Sequence, residues 1–445
     1  MKQKRYYFIG IGGIGMSALA RMLTHEGHAV TGSDRDATEL TKTLEAEGIS
    51  VTYTQVPENI TGEIDAVVYT VAIPDDHPEL VAAREKGIPT RSYPEMLGEI
   101  SKDKYTIAVA GTHGKTTTTA MLAAILQAAK LDPTVIVGSL LVGGGDNGWG
   151  SNFVAGKSDY LVVEACEYKR SFLHLHPDVL VITNIEEDHL DYYKNLADIQ
   201  SAFDKLAEKV PAEPATLGGA SGHEEGGAIV CNPNSTGVMP VVGRYQTRVI
   251  DYTQLPADGI ELSVPGKHNK ENAQAALAVA AFLRISEKTA RQALAGFKGT
   301  WRRFELKGTH SSGALLYDDY AHHPSEIRAT LAAFREKYPD KRLRVVFQPH
   351  LYSRTEQLLE SFAGSFEIAD EVLLAPVYAA REQPAAGVDH RRLADAIAEQ
   401  NDQKKVQALD SFGEVIGLIE GSLDANDVVV TLGAGDIHTI HSHFV

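Results

Sequence analysis

The sequence predicts an α/β protein of three domains: a Rossmann-like N-terminal domain, a central parallel sheet of the P-loop ATPase type, and a Rossmann-like C-terminal domain. Three observations lead there. Short apolar runs alternate with helix-forming stretches along the whole chain, the pattern of βαβ units stacked in parallel sheets. Two glycine-rich turns, at residues 10–15 and 111–114, each stand between an apolar run and a helical stretch. Length adds the third, because 445 residues exceed what one core holds and point to about three domains.

Composition narrows the function classes. Hydrophobic residues make up 43% and charged residues 23%, the values of an ordinary globular chain. No run approaches the ~18 apolar residues of a membrane span and no N-terminal signal peptide is seen, so the expectation is a cytoplasmic protein without membrane insertion. Two cysteines, Cys166 and Cys231, cannot build a disulfide framework and fit a reducing compartment. The 42 Lys and Arg against 59 Asp and Glu give a net charge of −17, which argues against nucleic acid as a partner. Anionic ligands must then be held by local glycine loops and individual basic residues. No feature of the chain fixes an oligomeric state.

The first domain is placed at 1–102. Tyr6-Tyr7-Phe8-Ile9 reads as a strand, followed by Gly10-Ile11-Gly12-Gly13-Ile14-Gly15, a helix over 16–25 and a strand ending at Ser33-Asp34. A G-x-G-x-x-G turn between strand and helix, with an acid about 20 residues on, is the dinucleotide fingerprint, and alone it suggests NAD or FAD. Its glycines serve any pyrophosphate that backbone approaches closely. Ala66-Val67-Val68-Tyr69-Thr70 and a helix over 78–86 continue the alternation to a polar joint at Ser101-Lys102-Asp103.

The second domain, 103–299, opens with Tyr105-Thr106-Ile107-Ala108-Val109-Ala110, a buried strand, and ends its first turn in Gly111-Thr112-His113-Gly114-Lys115-Thr116-Thr117 before a helix of good formers at 120–126. Free backbone N–H groups at the positive end of a helix dipole make an anion site, and Lys115 adds a point charge suited to β- and γ-phosphates. Thr116 has the hydroxyl that such loops place on Mg2+. Val109 stands where the longer G-x-x-x-x-G-K-[ST] pattern has its first glycine. Strands at 160–164 and 179–184 end in Glu164 and in Asn184-Ile185-Glu186-Glu187-Asp188-His189, and open α/β sheets keep their chemistry at such strand ends. Glu164 is a candidate Mg2+ ligand, a hard oxygen donor beside phosphates. His189 is a candidate for a second metal or for orienting phosphate. Residues 210–234, rich in Gly, Ala, Pro and Glu, read as a mobile surface insertion. Gly266-Lys267-His268-Asn269 precedes an alanine-rich helix at 273–283, where Asn269 is expected to cap and His268 and Asn272 are within reach of a nucleotide base.

The third domain, 300–445, carries strands that end in polar clusters. One is Leu315-Leu316-Tyr317-Asp318-Asp319, followed by Tyr320-Ala321-His322-His323-Pro324. Another is Leu343-Arg344-Val345-Val346-Phe347, followed by Gln348-Pro349-His350-Leu351-Tyr352-Ser353-Arg354. Histidines and an arginine at neighbouring strand ends suggest a surface that recognises a carboxylate.

With these motifs in family order, the chain resembles the Mur ligases of peptidoglycan synthesis over essentially its whole length. The resemblance rests on the two glycine loops, Thr183-Asn184-Ile185-Glu186-Glu187-Asp188-His189, Gly266-Lys267-His268-Asn269, Arg302-Arg303-Phe304 and Asp318-Asp319-Tyr320-Ala321-His322-His323-Pro324. It implies an ADP-forming ligation with ATP and Mg2+, and UDP-N-acetylmuramate and L-alanine as substrates. It implies that Gly12, Gly13, Ile14, Gly15 and Asp34 meet the UDP-sugar pyrophosphate in place of a dinucleotide. Gly111, Thr112, His113, Gly114, Lys115, Thr116, Thr117, Asn269, Arg303 and Asp319 match positions that hold ATP, and Thr116, Glu164 and His189 match its metal positions. His323, His350 and Arg354 lie in motifs that receive the amino acid, and Lys115, His189, His323 and Arg354 carry the catalytic expectation. Three departures stand out: Cys166-Glu167-Tyr168-Lys169 replaces an acid-rich stretch, Gln55 stands where many members have His, and Leu351 where many have Arg. A relative that attaches a recycled tripeptide to the same nucleotide sugar is the rival within the family. An NAD-dependent oxidoreductase built on residues 10–15 leaves Lys115 and the third domain unexplained. A UDP-sugar sensor switched by ATP would release no phosphate in response to alanine.

Overall fold

The computed structural model of the chain describes all residues except 1–2, 142–149, 214–225, 244, 246, 257–258, 381, 384–386 and 402–404. The chain forms two compact units, one of residues 1–187, 195–260 and 272–297, the other of residues 188–194, 261–271 and 298–445. The first unit contains two sheets and the second contains one.

Strands β1 (Arg5–Ile9), β2 (Ala29–Ser33), β3 (Ser50–Thr52), β4 (Ala66–Tyr69) and β5 (Thr90–Ser92) run parallel in the order β3-β2-β1-β4-β5. The order reverses at β1, so the glycine turn after β1 opens at the switch point, where such sheets bind ligands. Phe8 and Ile9 are fully buried between the helices that cover the two faces.

The second sheet contains β6 (Tyr105–Ala110), β7 (Thr134–Ile136), β8 (Phe153–Val154), β9 (Tyr160–Glu164), β10 (Val179–Ile182), β11 (Ala228–Cys231) and β12 (Arg248–Asp251), ordered β12-β11-β10-β6-β9-β7-β8. All its pairings are parallel except β7 with β8. Central β6 is flanked by β9 and β10, so the loop after it emerges between Glu164 and Thr183-Asn184.

Part of the expected surface insertion at 210–234 is corrected here. Residues 214–225 lie outside the described residues, but Ala228–Cys231 is a fully buried strand between β10 and β12. Two helices also start earlier than their apolar patterns suggest, at Lys115 instead of 120 and at Lys267 instead of 273. In both, polar residues open the helix. Helix Leu196–Ala207, capped by Asn195 whose side chain accepts from the Asp198 amide at 3.1 Å, was not foreseen.

The second unit is a six-stranded sheet of β13 (Glu305–Thr309), β14 (Leu315–Asp319), β15 (Arg342–Phe347), β16 (Glu371–Leu374), β17 (Lys405–Ala408) and β18 (Asp427–Leu432), ordered β13-β14-β18-β15-β16-β17. Only β13 is antiparallel to its neighbour. Buried Arg302 ties the site end of this sheet together, through Asp318 at 2.7 Å and the carbonyls of Gly433 and Gly435 at 2.6 and 2.7 Å. Among the described residues no helix is long and apolar enough to cross a membrane.

His441 gives this unit a pH signature. It is buried, with Nε2 2.8 Å from Thr431 Oγ1, whose proton goes to Asp318 at 2.6 Å. Burial pushes its imidazole down to about 4. An unfolded histidine titrates near 6.5, so the unfolded chain takes up the proton first as pH falls. The stability from a neutral His441 is full above pH ~6.5 and is lost towards pH 4, by about 3 kcal/mol. Thermal melting of His441→Gln between pH 7 and 4.5 should fall less steeply than that of the parent chain; parallel curves would contradict the account.

Candidate active site

The loop after β6 is shaped by two glycines in left-handed or extended positive-φ conformations, Gly111 at φ +142° and Gly114 at +82°. A Cβ at Gly111 would collide with the Thr183 hydroxyl, and one at Gly114 with the Asn272 side-chain oxygen. Neighbouring strand ends fasten the loop between them. Asn184 accepts from the Thr112 amide through its carbonyl at 3.0 Å and from the His113 amide through Oδ1 at 2.9 Å. Thr183 and Asn184 also donate to the His113 carbonyl, at 2.5 and 3.1 Å. Thr183, Asn184 and Asn272 thus shape the loop, a role their motifs announce by position but not by residue type.

Helix Lys115–Ala128 starts at this loop with Gly114 as its N-cap and no side-chain cap, which leaves its first amides for a ligand. Lys115 Nζ donates to the carbonyls of Gly111 and Thr112 and pairs with Glu167 at 2.9 Å. Burial opposes its charge, but Glu167 more than offsets that and raises the ammonium above the ordinary lysine range. Glu167, from the stretch that departs from the family pattern, is therefore a partner the sequence reading missed. Thr116 Oγ1 lies 3.0 Å from both carboxylate oxygens of Glu164, and the Gly138 amide donates to Glu164 at 2.8 Å. A Cβ at Gly138 would sit 2.8 Å from that carboxylate. Two hard oxygen donors in a cradle that a side chain would fill suit Mg2+. Thr117 is buried in the first helical turn.

Solvent reaches Cys166, two residues past Glu164, while the protein packed around it and the Glu167 carboxylate push its thiol up to about 12. Alkylation of Cys166 should slow further when ATP and Mg2+ are present, followed by peptide mass spectrometry. An unchanged rate would place this thiol away from the nucleotide.

In the first sheet, Asp34 accepts from the Gly12 amide at 2.7 Å, so the acid at the end of β2 braces the glycine turn. Gly13 caps helix Ile14–His25, and Ile14 stands exposed at its first turn. Gln55 donates to the Ser33 hydroxyl at 3.2 Å.

The second unit gathers the other expected residues into two groups. Asp319 is buried, accepts from the amides of Phe304 and Ala321 at 2.7 and 2.8 Å, and is pushed up to about 6 by burial. Arg303 pairs with Glu326 at 3.6 Å, and the same carboxylate accepts from the His323 amide at 3.3 Å. His323 caps helix Pro324–Lys337, its Nδ1 2.7 Å from the Ser325 hydroxyl. Asn269 lies inside its helix and donates to the Pro265 carbonyl at 2.7 Å, where an N-cap acceptor was expected.

The second group surrounds Asp188. Arg354 donates to Asp188 Oδ1 at 2.9 Å, both side chains less than a tenth exposed. Arg354 Nη1 lies 3.2 Å from His350 Nδ1, and the His350 ring stacks on Tyr378 with centroids 5.7 Å apart. Burial alone would raise the Asp188 carboxyl, but His189 and Arg354 hold it well below the usual carboxylate range. Burial drives nearby His322 down to about 3 and keeps it neutral. His189 and Leu351 both adopt positive φ, +54° and +68°, strained values that fix the bends on either side of the pair. Asp188 is, with Glu167, a site residue that sequence reasoning overlooked.

The profile described as Mur ligase family, catalytic domain, matches residues 5–105; that of the Mur ligase middle domain matches 109–218; and that of the Mur ligase, glutamate ligase domain, matches 302–435. The UDP-N-acetylmuramate–L-alanine ligase of Clostridium acetobutylicum is 41% identical, with 99% of this chain and 97% of the relative covered. The ligase of the same name from Salinibacter ruber is 42% identical over 99% and 94%. Among solved structures, the UDP-N-acetylmuramate-alanine ligase of Thermotoga maritima superposes with TM-score 0.78 at 29% identity, covering 99% and 98% of the two chains. The murein peptide ligase of Psychrobacter arcticus superposes with TM-score 0.71 at 26% identity over 99% and 98%. With profiles spanning all three sheets and relatives aligned end to end, the chain belongs to the Mur ligase family.

Proposed function

We infer that this chain joins L-alanine to the lactyl carboxylate of UDP-N-acetylmuramate, converting ATP to ADP and phosphate, in peptidoglycan precursor synthesis. The observation that carries this reading is the alignment at about 40% identity with ligases of that name over nearly the full length of both chains. The chemistry fits the residues. A carboxylate is a poor acyl donor, so the γ-phosphoryl of ATP is first transferred to a carboxylate oxygen. The alanine amine then attacks the acyl phosphate, and phosphate leaves with that oxygen.

Mur ligases are ATP-dependent, and we assign the nucleotide to residues 111–117 with Asn269, Arg303 and Asp319. Lys115 offsets charge on the transferring phosphoryl group. Mg2+ would be held by Thr116 and Glu164, with His189 for a further ion, and when bound would neutralise phosphate charge. Residues 12–15 with Asp34 are assigned to the UDP-sugar pyrophosphate, and His323, His350 and Arg354 to the amino acid. In domain terms, 1–102 takes the UDP-sugar, 103–299 ATP and 300–445 alanine. A reaction that draws on ATP and a UDP-sugar supports a cytoplasmic location.

The test is phosphate release from ATP with UDP-N-acetylmuramate and either L-alanine or the tripeptide L-alanyl-γ-D-glutamyl-meso-diaminopimelate. Release with alanine is expected. Release only with the tripeptide would move the chain to the recycling ligases.

A further inference from the structure

The end of the second sheet opposite the nucleotide loop carries a basic cavity that the ligation does not use. The cavity, of about 280 Å3, is lined by Arg91, Lys102, His174, His176 and Lys209, with Glu95 and Glu99 on the same wall. Both acids are already engaged. Glu99 pairs with Arg91 at 2.5 Å, and Glu95 accepts from the Ser92 amide and hydroxyl at 2.7 and 2.8 Å. Lys102, His174, His176 and Lys209 have no ion-pair partner among the described residues.

The wall is fixed by backbone. A Cβ at Gly98 would collide with the His174 carbonyl, so helix Tyr93–Lys102 lies directly on segment Tyr168–His174. The His176 amide donates to Ser101 Oγ at 3.1 Å. Lys209 is held by the carbonyls of Leu173 and Leu175, the latter at 3.3 Å, so its ammonium is anchored at the cavity. These cations repel one another. Burial and then Lys102 lower the Lys209 ammonium, and burial followed by Lys209 and Lys102 lowers the His176 imidazole. Arg91, Lys102 and Lys209 against Glu95 and Glu99 leave this rigid wall net positive in a chain of net charge −17, and Lys102 and Lys209 are the cations there without an ion pair among the described residues, which suits an anion.

Position separates this cavity from the catalytic loop. Lys102 and His176 each precede their strands, β6 and β10, by three residues, whereas Gly111 follows β6. The six residues of β6 put ~20 Å between the two ends. We propose that this cavity is a second anion site, which binds a soluble phosphorylated anion of two or more charges.

Inorganic pyrophosphate titrated into the full-length protein tests this, read by NMR from the His176 side-chain resonances, assigned with His176→Gln. Pyrophosphate should raise the His176 titration midpoint by about one unit, the low end for an opposite charge at contact distance. The double variant Lys102→Gln, Lys209→Gln should lose that response while alanine-dependent phosphate release persists. A His176 resonance that does not move, or moves equally in the double variant, overturns the site. Movement with phosphatidylglycerol vesicles but not with pyrophosphate overturns the assignment to a soluble ligand.

Discussion

Lys115→Ala is expected to lower turnover by at least about a hundred- to a thousandfold, the range for losing one preorganised charge at a transferring group. Binding of UDP-N-acetylmuramate should survive, because the glycine turn after β1 and Asp34 belong to another sheet. Alanine cannot hold the Gly111 and Thr112 carbonyls, nor neutralise Glu167, which is buried to 3% exposure. The variant therefore loses both the assigned phosphate contact and the ammonium that pairs with the buried Glu167 carboxylate. Calorimetric titration with the UDP-sugar, run beside phosphate release, separates a catalytic lesion from unfolding. Turnover near that of the parent chain would refute the phosphate role of the loop.

Arg354→Lys should weaken use of L-alanine by about 1.5–3 kcal/mol, or roughly 10- to 150-fold in kcat/KM, with the apparent affinity for ATP nearly unchanged. A small zwitterion offers little beyond its carboxylate, so one charged anchor carries much of its binding. Leu351 cannot pair with a carboxylate, and Arg354 is the cation beside His350. Lysine keeps a charge for Asp188, which limits the structural damage, but a single ammonium cannot span Asp188, His350 and a substrate carboxylate as a planar fork does. Steady-state kinetics in both substrates is the measure. A loss shared equally by ATP and alanine would make Arg354 a brace for Asp188 alone.

These two residues show how far a sequence is legible. Lys115 stands out because its whole environment is local: a strand, two glycines and a helix within a dozen positions produce the anion site. The three parallel-sheet architectures are legible for the same reason, as each strand and the helix after it are written consecutively. Asp188 was hidden because its partner lies 166 positions away, and an acid in an acid-rich loop resembles a solvated residue until the fold buries it. Glu167 escaped notice for a related reason, since its pairing with Lys115 joins the ends of two strands. Strand Ala228–Cys231 was missed because four apolar residues are too few to show a period, and the glycines, prolines and glutamates before them outweigh them. Burial in the sheet overrides that local composition.

The ligation account is tested most directly by labelling the lactyl carboxylate of UDP-N-acetylmuramate with oxygen-18. If the γ-phosphoryl is transferred to that carboxylate before the alanine amine attacks, one labelled oxygen leaves with the phosphate. Mass spectrometry of phosphate released in the presence of L-alanine should then find one oxygen-18 per phosphate formed. Phosphate that carries only the oxygens of ATP and water would contradict the account.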